Sequence, residues 1–327
     1  MLKKSTLYVS IALCMMLLLS YAALGKWEKS RNDDLEGYLR GVHFINEKTG
    51  ISVGDYGVIT VTKDGGASWQ NIESPVKNDL WDVYFIDEKK GWIAGDRGTI
   101  LFSDDGGESW RKQDSVSSVL LFSVYFLDER NGWAVGQNGT IIGTENGGRV
   151  WSSLAAGATG ANIGEGASGL TDVHFITPKK GWTVGDNGII NMTKDGGKTW
   201  TLQHDSAITK IDNNLTGVDF VNETTGWAVG EGGGILHTSD GGATWAPQNS
   251  GVTDWMYGVD FVSETEGLIA AEYGTILHTT DGGATWTVDL SGKQQGAPKY
   301  KFYGISFPSA KAAFAAAEWG LIMKYVP

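Results

Sequence analysis

Between residues 80 and 110 the hydrophobic positions fall into four short runs separated by glycine and aspartate, and none keeps helical spacing. The first alternates around Val83 and Phe85, the second covers Trp92 to Ala94, the third Thr99 to Phe102, and the fourth starts at Trp110. Short alternating runs predict β-strands. Gly95-Asp96-Arg97-Gly98 separates the second strand from the third, and Asp105-Gly106-Gly107 the third from the fourth. Both segments supply the positive-φ positions and side-chain-to-backbone bonds that tight hairpins need.

This order recurs along the chain. An eight-residue phrase, Thr/Ser-x-Asp-Gly-Gly-x-Thr/Ser-Trp, occupies 62–69, 103–110, 144–151, 193–200, 238–245 and 279–286, with the third copy eroded to Asn146 and Val150. Its third residue recurs at 64, 105, 146, 195, 240 and 281, in steps of 41, 41, 49, 45 and 41. A four-strand unit of that length predicts a propeller blade. Seven inner strands begin at Leu39, Leu80, Leu121, Leu170, Leu215, Met256 and Phe302, yet only six outer strands follow them. The last unit, Phe302 to Tyr325, would leave a raw sheet edge. Trp27 lies 12 residues before Leu39, much as Trp69 lies 11 before Leu80, so residues 26–32 are expected to close the ring. The predicted fold is all-β, a seven-bladed propeller of four-stranded blades forming one domain over residues 26–327.

Composition agrees with a turn-rich β chain: 47 glycines, 11% aromatics and six prolines in 327 residues. Of 14 tryptophans, seven end outer strands, and Trp92, Trp133, Trp182 and Trp227 share one second-strand position. Only Trp81, Trp255 and Trp319 stand apart. The phrase itself reads as a structural fastener. Asp64, Asp105, Asp195, Asp240 and Asp281 are expected to cap their own turns, while Trp69, Trp110, Trp200, Trp245 and Trp286 pack into the blades.

Residues 1–25 follow another pattern. Lys3 and Lys4 precede an apolar run from Leu7 to Leu19, and Ala23-Leu24-Gly25 offers small residues for cleavage. That reads as a signal peptide, with a retained membrane anchor as the alternative, and places the chain outside the cytoplasm, periplasmic or secreted. Cys14 is the only cysteine, and Ile11-Ala12-Leu13-Cys14 makes a poor lipoprotein signal. Cleavage after Gly25 leaves 24 basic against 38 acidic residues, a net of −14, because two of the 26 lysines and arginines are lost. Such acidity argues against nucleic acid and anionic lipid surfaces as partners.

The turn between second and third strands carries Asp55, Asp96, Gln137, Asp186, Glu231, Glu272 and Glu318. In a propeller these turns share a face with the connections between blades, including the longer ones at 152–169, 202–214 and 287–301. Aspartate suits such turns for local reasons, whereas glutamate lacks that preference, so the carboxylates read either as turn chemistry or as a binding ring. Strand-start residues Arg40, Trp81, Phe122, Tyr257 and Tyr303 and turn residues Tyr56, Tyr273 and Trp319 add aromatics near that rim. Aromatics beside carboxylates suit a protein partner with a basic surface. The expected partner-binding residues are therefore Asp55, Asp96, Asp186, Glu231, Glu272, Glu318, Tyr56, Trp81, Tyr273 and Trp319. His43 and His174 share one repeat position and His237 and His278 another, while His204 lies in a connection. Shared positions point to packing. No metal-ligand spacing, phosphate loop or Ser/His/Asp set is present, so neither cofactor nor metal is expected.

The units resemble Asp-box (BNR) repeats. Their fuller pattern, Val-x-Phe, then Gly-Trp-x-Val-Gly-Asp-x-Gly, then Thr-x-Asp-Gly-Gly-x-Thr-Trp, resembles the photosystem II stability and assembly factor family over roughly residues 27–327. The resemblance implies an exported propeller that helps assemble a membrane protein complex and is not an enzyme; in a photosynthetic host it implies the thylakoid lumen, and a monomer is expected. Photosynthetic members of that family carry an arginine-rich patch. This chain has six arginines, of which only Arg40 and Arg97 fall near the rim, so a partner of opposite, basic charge is expected. Asp-boxes also occur in sialidases and glycosidases, which makes glycan binding or hydrolysis the alternative. Tyr38-Leu39-Arg40-Gly41 is the nearest approach to a sialidase arginine motif and fails it. The other glycosidase mechanism asks only for two carboxylates about 5–10 Å apart, which an acidic ring could supply.

Overall fold

The computed structural model describes residues 26–31, 37–154, 168–204, 213–292 and 299–327. The leader at 1–25 with Cys14 and much of the three longer connections lie outside the described residues. Seven antiparallel four-stranded sheets make up the ring. Inner strands run Leu39–Phe44, Leu80–Phe85, Leu121–Phe126, Leu170–Phe175, Leu215–Phe220, Met256–Phe261 and Phe302–Ser309, each starting where the repeat predicts. Outer strands such as Arg111–Gln113 begin one residue later than expected, after Trp110, because that side chain turns into the core instead of continuing the ladder. The blades comprise residues 39–72, 80–113, 121–153, 170–204, 215–249, 256–290 and, for the seventh, 302–326 with 26–31.

Closure is as the count of strands requires. Lys26–Arg31 pairs antiparallel with Ile322–Val326, placing Trp27 opposite Tyr325 with ring centroids 5.8 Å apart. The exposed edge of the last blade is thereby paired.

No single core exists; seven apolar clusters occupy the seams between neighbouring blades. Their organising element is the phenylalanine that ends each regular inner strand. Phe126 lies flat against Trp92 of the preceding blade at 3.5 Å, and Phe175 on Trp133, Phe220 on Trp182 and Phe261 on Trp227 repeat this at 3.5–3.6 Å. Phe44 stacks on Phe314 at 3.4 Å across the closing seam. Each of these phenylalanines also receives the edge of its own blade's phrase-ending tryptophan, as with Phe175 and Trp200 at 6.0 Å and 84°. Face-to-face and edge contacts therefore meet on one ring, a geometry aromatic quadrupoles favour. The glycine opening each second strand makes room for it: a Cβ on Gly91 would stand 2.3 Å from the Phe85 ring.

The phrase closes its own turn. Asp64 accepts hydrogen bonds from the Thr62 hydroxyl, the Ser68 backbone N–H and the Ser68 hydroxyl, and Gly66 N–H bonds to Thr62 Oγ1. The Ser68 bonds pull the Asp64 carboxyl down to about 2. Outer-strand glutamines then latch the next blade: Gln113 donates to the Gly147 carbonyl and accepts from Trp151 Nε1, and Gln248 treats Gly282 and Trp286 likewise. Ser30 of the N-terminal strand plays this role toward Gly66 and Trp69.

Two outcomes follow from this construction. Phe175→Ala is expected to lower unfolding free energy by about 3–5 kcal/mol, the usual loss for a buried aromatic, measurable by chemical denaturation. Deleting residues 26–31 should abolish the single cooperative melting transition, and an unchanged melting curve would contradict closure by that strand.

Candidate functional site

Every inner strand shifts register at its second residue, as where Leu80 faces Gly95 but Asp82 faces Ala94. Such bulges re-aim a side chain. The displaced residues are Arg40, Trp81, Phe122, Thr171, Thr216, Tyr257 and Tyr303, and all seven line a cavity of about 170 Å³ that forms the mouth of the central channel.

Around this mouth stand the turns between second and third strands. Their first residue bonds back to the connection entering the same blade, for instance Asp55 N–H to the Tyr38 carbonyl and Asp186 N–H to that of Gly169. Their next residue adopts the left-handed conformation: Tyr56, Arg97, Asn138, Asn187, Gly232, Tyr273 and Trp319, with φ between 55° and 68°. Asparagine and glycine tolerate this region, but bulky aromatics do so at a cost of roughly 1–2 kcal/mol. The three aromatics belong to consecutive blades, the sixth, seventh and first. They are also open to solvent, with Tyr273 57%, Trp319 46% and Tyr56 66% exposed.

An aromatic arc runs beneath them. Trp255 meets Tyr257 at 5.8 Å, Tyr257 meets Tyr303 at 5.2 Å, and Tyr38 meets both Tyr303 and Trp319 at 5.8 Å. Trp81 and Phe122 continue it at 5.2 Å, and the Arg40 guanidinium lies 4.0 Å from the Trp81 ring centre. At the corresponding described positions the opposite sector, blades four and five, has Thr171, Thr216, Asn187 and Gly232. Of the expected aromatics, the structure brings Trp81 and Trp319 into this arc and sets Tyr56 and Tyr273 on its rim. Tyr38 and Trp255 were not expected there. Both immediately precede an inner strand, a repeat position that reads as mere connection.

The six turn carboxylates are half-buried, and five bond within their own blade. Asp55, Asp186, Glu272 and Glu318 accept the backbone N–H of Tyr38, Gly169, Trp255 and Lys301, in each case 17 residues upstream, at 2.9–3.3 Å. Asp96 instead accepts Trp81 Nε1 at 3.1 Å, and Asp55 also holds Arg40 at 2.6 Å. Glutamate thus serves where aspartate does, because the bond reaches back to the strand start and not into the turn itself. The carboxylates position the aromatic arc while giving the rim its negative charge.

Below the mouth lies a belt absent from the sequence-based expectations. Asp82 accepts the N–H of Val124 in the next blade at 3.0 Å, Asp172 that of Val218 at 2.8 Å, Asp219 that of Phe261 at 2.8 Å, and Asp260 that of Phe307 at 2.7 Å. Ser123 donates to Asp172 at 2.8 Å, and Ser306 accepts Phe44 N–H at 2.9 Å. His43, Tyr84, Tyr125 and His174 stack in sequence at 4.7 Å spacing, and His174 Nδ1 lies 3.3 Å from Asp219. Burial pushes Asp82 up to about 7 and Asp172 up to about 6 despite their backbone bonds, and raises Asp219 and Asp260 as well. Burial also drives His43 and His174 down to about 4, so both are neutral near pH 7. Each of these carboxylates shares its inner-strand position with only one other blade, Asp82 with Asp172 and Asp219 with Asp260, so the repeat advertises them weakly; of these shared positions, that of His43 and His174 was the one noticed.

Among the described residues no group of three or more histidine, cysteine or acidic side chains could hold a metal ion, and no helix is long and apolar enough to cross a membrane. The model of the family described as photosynthesis system II assembly factor YCF48 matches residues 67–160, 162–249 and 205–325. Among solved structures, a YCF48 bound to D1 peptide is 21% identical over 92% of this chain and 97% of its own, with a TM-score of 0.73. YCF48 from Cyanidioschyzon merolae is 20% identical over 92% and 98%, TM-score 0.72. The GH74 xyloglucanase from Xanthomonas campestris is 14% identical over 91% of this chain and 53% of that enzyme, TM-score 0.69, a likeness of fold alone. No curated protein matches the chain.

The belt has a pH signature. Asp82 binds its proton more tightly folded than unfolded, so its contribution to stability is fully present below the unfolded value near 4 and is lost as pH rises through about 7. Wild type should therefore gain on Asp82→Asn as pH falls from 8 to 5, by about 1–3 kcal/mol at up to about 1.4 kcal/mol per pH unit. Paired denaturant titrations at the two pH values measure it, and a pH-independent difference would refute the assignment.

Proposed function

The chain belongs to the family described as photosynthesis system II assembly factor YCF48, and from that premise we propose that it is an exported, non-enzymatic scaffold. It holds a segment of a protein partner against the mouth of the ring during assembly or maintenance of a membrane or envelope complex. One observation carries the reading: Tyr273, Trp319 and Tyr56 project to solvent from left-handed backbone on three adjacent blades. The backbone there favours asparagine or glycine, which stand at the same position as Asn138, Asn187 and Gly232, with Arg97 the remaining exception. Strained, exposed aromatics that the fold does not need mark a contact surface.

The partner's character follows from the rim. Glu272, Glu318, Asp55 and Asp96 flank the aromatic sector, and Asp186 and Glu231 continue the negative charge around the ring. A basic, extended segment complements that surface, with charge governing encounter and aromatics supplying contact area. The relative solved with D1 peptide supports the general mode, a propeller carrying a bound peptide. Residues 1–25 supply the export signal or an anchor, and the propeller acts as a monomer.

Replacing Tyr56, Tyr273 and Trp319 together by asparagine separates contact from folding. The triple variant should melt no lower than wild type, and by up to a few degrees higher, because strain is relieved. It should nevertheless lose the protein that wild type retains from the native membrane fraction, with that retention weakening in high salt. Equal retention by both proteins would overturn the proposal.

A further inference from the structure

We propose that the mouth of the ring receives one cationic side chain, lysine or arginine, from the partner segment, with its charge between the aromatic walls and the Asp82–Asp172 pair. This rests on the reading of the mouth as a partner-binding face and names the group that enters it.

The cavity of about 170 Å³ is smaller than the roughly 300–1,000 Å³ of sites that enclose whole small molecules, and suits a single side chain. Its walls are Trp81, Phe122, Tyr257 and Tyr303. Asp82 and Asp172 enter from one side, held about Ser123. On the other side Gly41, Gly258 and Gly304 occupy the corresponding inner-strand position and add no side chain. A cation placed there meets aromatic faces and two carboxylates together, which is the environment such groups seek when they leave water.

The chain itself shows what these walls accept. The Arg40 guanidinium lies 4.0 Å from the Trp81 ring centre and 5.8 Å from that of Tyr303, its charge committed to Asp55 at 2.6 Å. It therefore leaves the inner pair uncompensated. The other groups facing the pair do not supply a positive charge near neutral pH. Tyr84, Tyr125 and His174 lie below, with His174 driven down to about 4, and the carboxyls of Asp219 and Asp260, both raised by burial, bring no positive charge. Lys301 sits against Tyr257 at 5.9 Å. Val83, Val124, Val173 and Val218 N–H groups orient the two carboxylates without neutralising them.

The mouth thus prefers a cation when the pair is ionised. Because burial holds Asp82 near 7 and Asp172 near 6, affinity rises with pH across that window.

The test uses Nα-acetyl-L-arginine amide as probe and the neutral Nα-acetyl-L-citrulline amide as its control, followed by the Trp81 indole resonance of the full propeller. The arginine probe should bind at least tenfold more tightly at pH 8 than at pH 5, and the citrulline probe should not bind measurably. Asp172→Asn should weaken the arginine probe at pH 8 by tenfold or more, while Glu108→Gln, at an exposed position outside the lining of the mouth, changes it less than threefold. Indistinguishable probes, or pH-independent binding by wild type, overturn the inference even if Asp172→Asn fails to fold. Trp319→Asn separates the two claims. It should reduce partner retention while leaving the arginine probe bound, so retention without probe binding defeats this inference and spares the broader one.

Discussion

Each seam of the ring is organised around one aromatic ring with two neighbours. A phenylalanine at the end of an inner strand lies flat on the preceding blade and receives the edge of its own blade's terminal tryptophan. The contact demands a glycine beneath it, a bulky residue on the second strand before it, and a turn tight enough to bring the tryptophan home. Those demands recur at a period of about one blade, and they account for why the repeat has the residues it has. They also hold the inner strands in fixed relation, so that side chains at the channel mouth from all seven blades meet over one cavity.

The architecture was legible because every blade states it. Thr193-Lys194-Asp195-Gly196-Gly197-Lys198-Thr199-Trp200 reads as a fastener from one copy, and six copies set the register of everything between them. Even the missing outer strand could be inferred from Trp27, since an unpaired edge is a physical liability. The candidate site was legible only in part, since the residues proposed for partner contact stand where the blades differ. Tyr56, Tyr273 and Trp319 stood out as aromatics at a turn position, but their left-handed backbone, which gives them meaning, is conformational and has no residue of its own.

The turn carboxylates illustrate the opposite difficulty. Glu272 and Glu318 looked functional because glutamate is a poor turn former, yet each accepts a backbone N–H 17 residues away in sequence. That bond crosses two strands and cannot be read from local preference. Asp82 and Asp172 were hidden for a related reason: an aspartate that stands at the third inner-strand position in only two of seven blades resembles any half-buried polar residue until the ring closes and brings both to one cavity. The mouth therefore combines two layers, an outer rim whose carboxylates bond within their own blade and an inner pair that bonds to the backbone of the neighbouring blade.

The proposal places partner contact at the mouth and not on the far face, where first and second strands turn. Site-specific photo-crosslinking in native membranes addresses it directly, with a benzophenone side chain at position 319 on the mouth and at position 89 on the far face. Lys89 is exposed in the Asp87–Lys90 turn and bears on no feature of the mouth. Contact at the mouth predicts adducts with a discrete partner from position 319 and none from position 89; adducts from position 89 alone would place the partner on the far face instead.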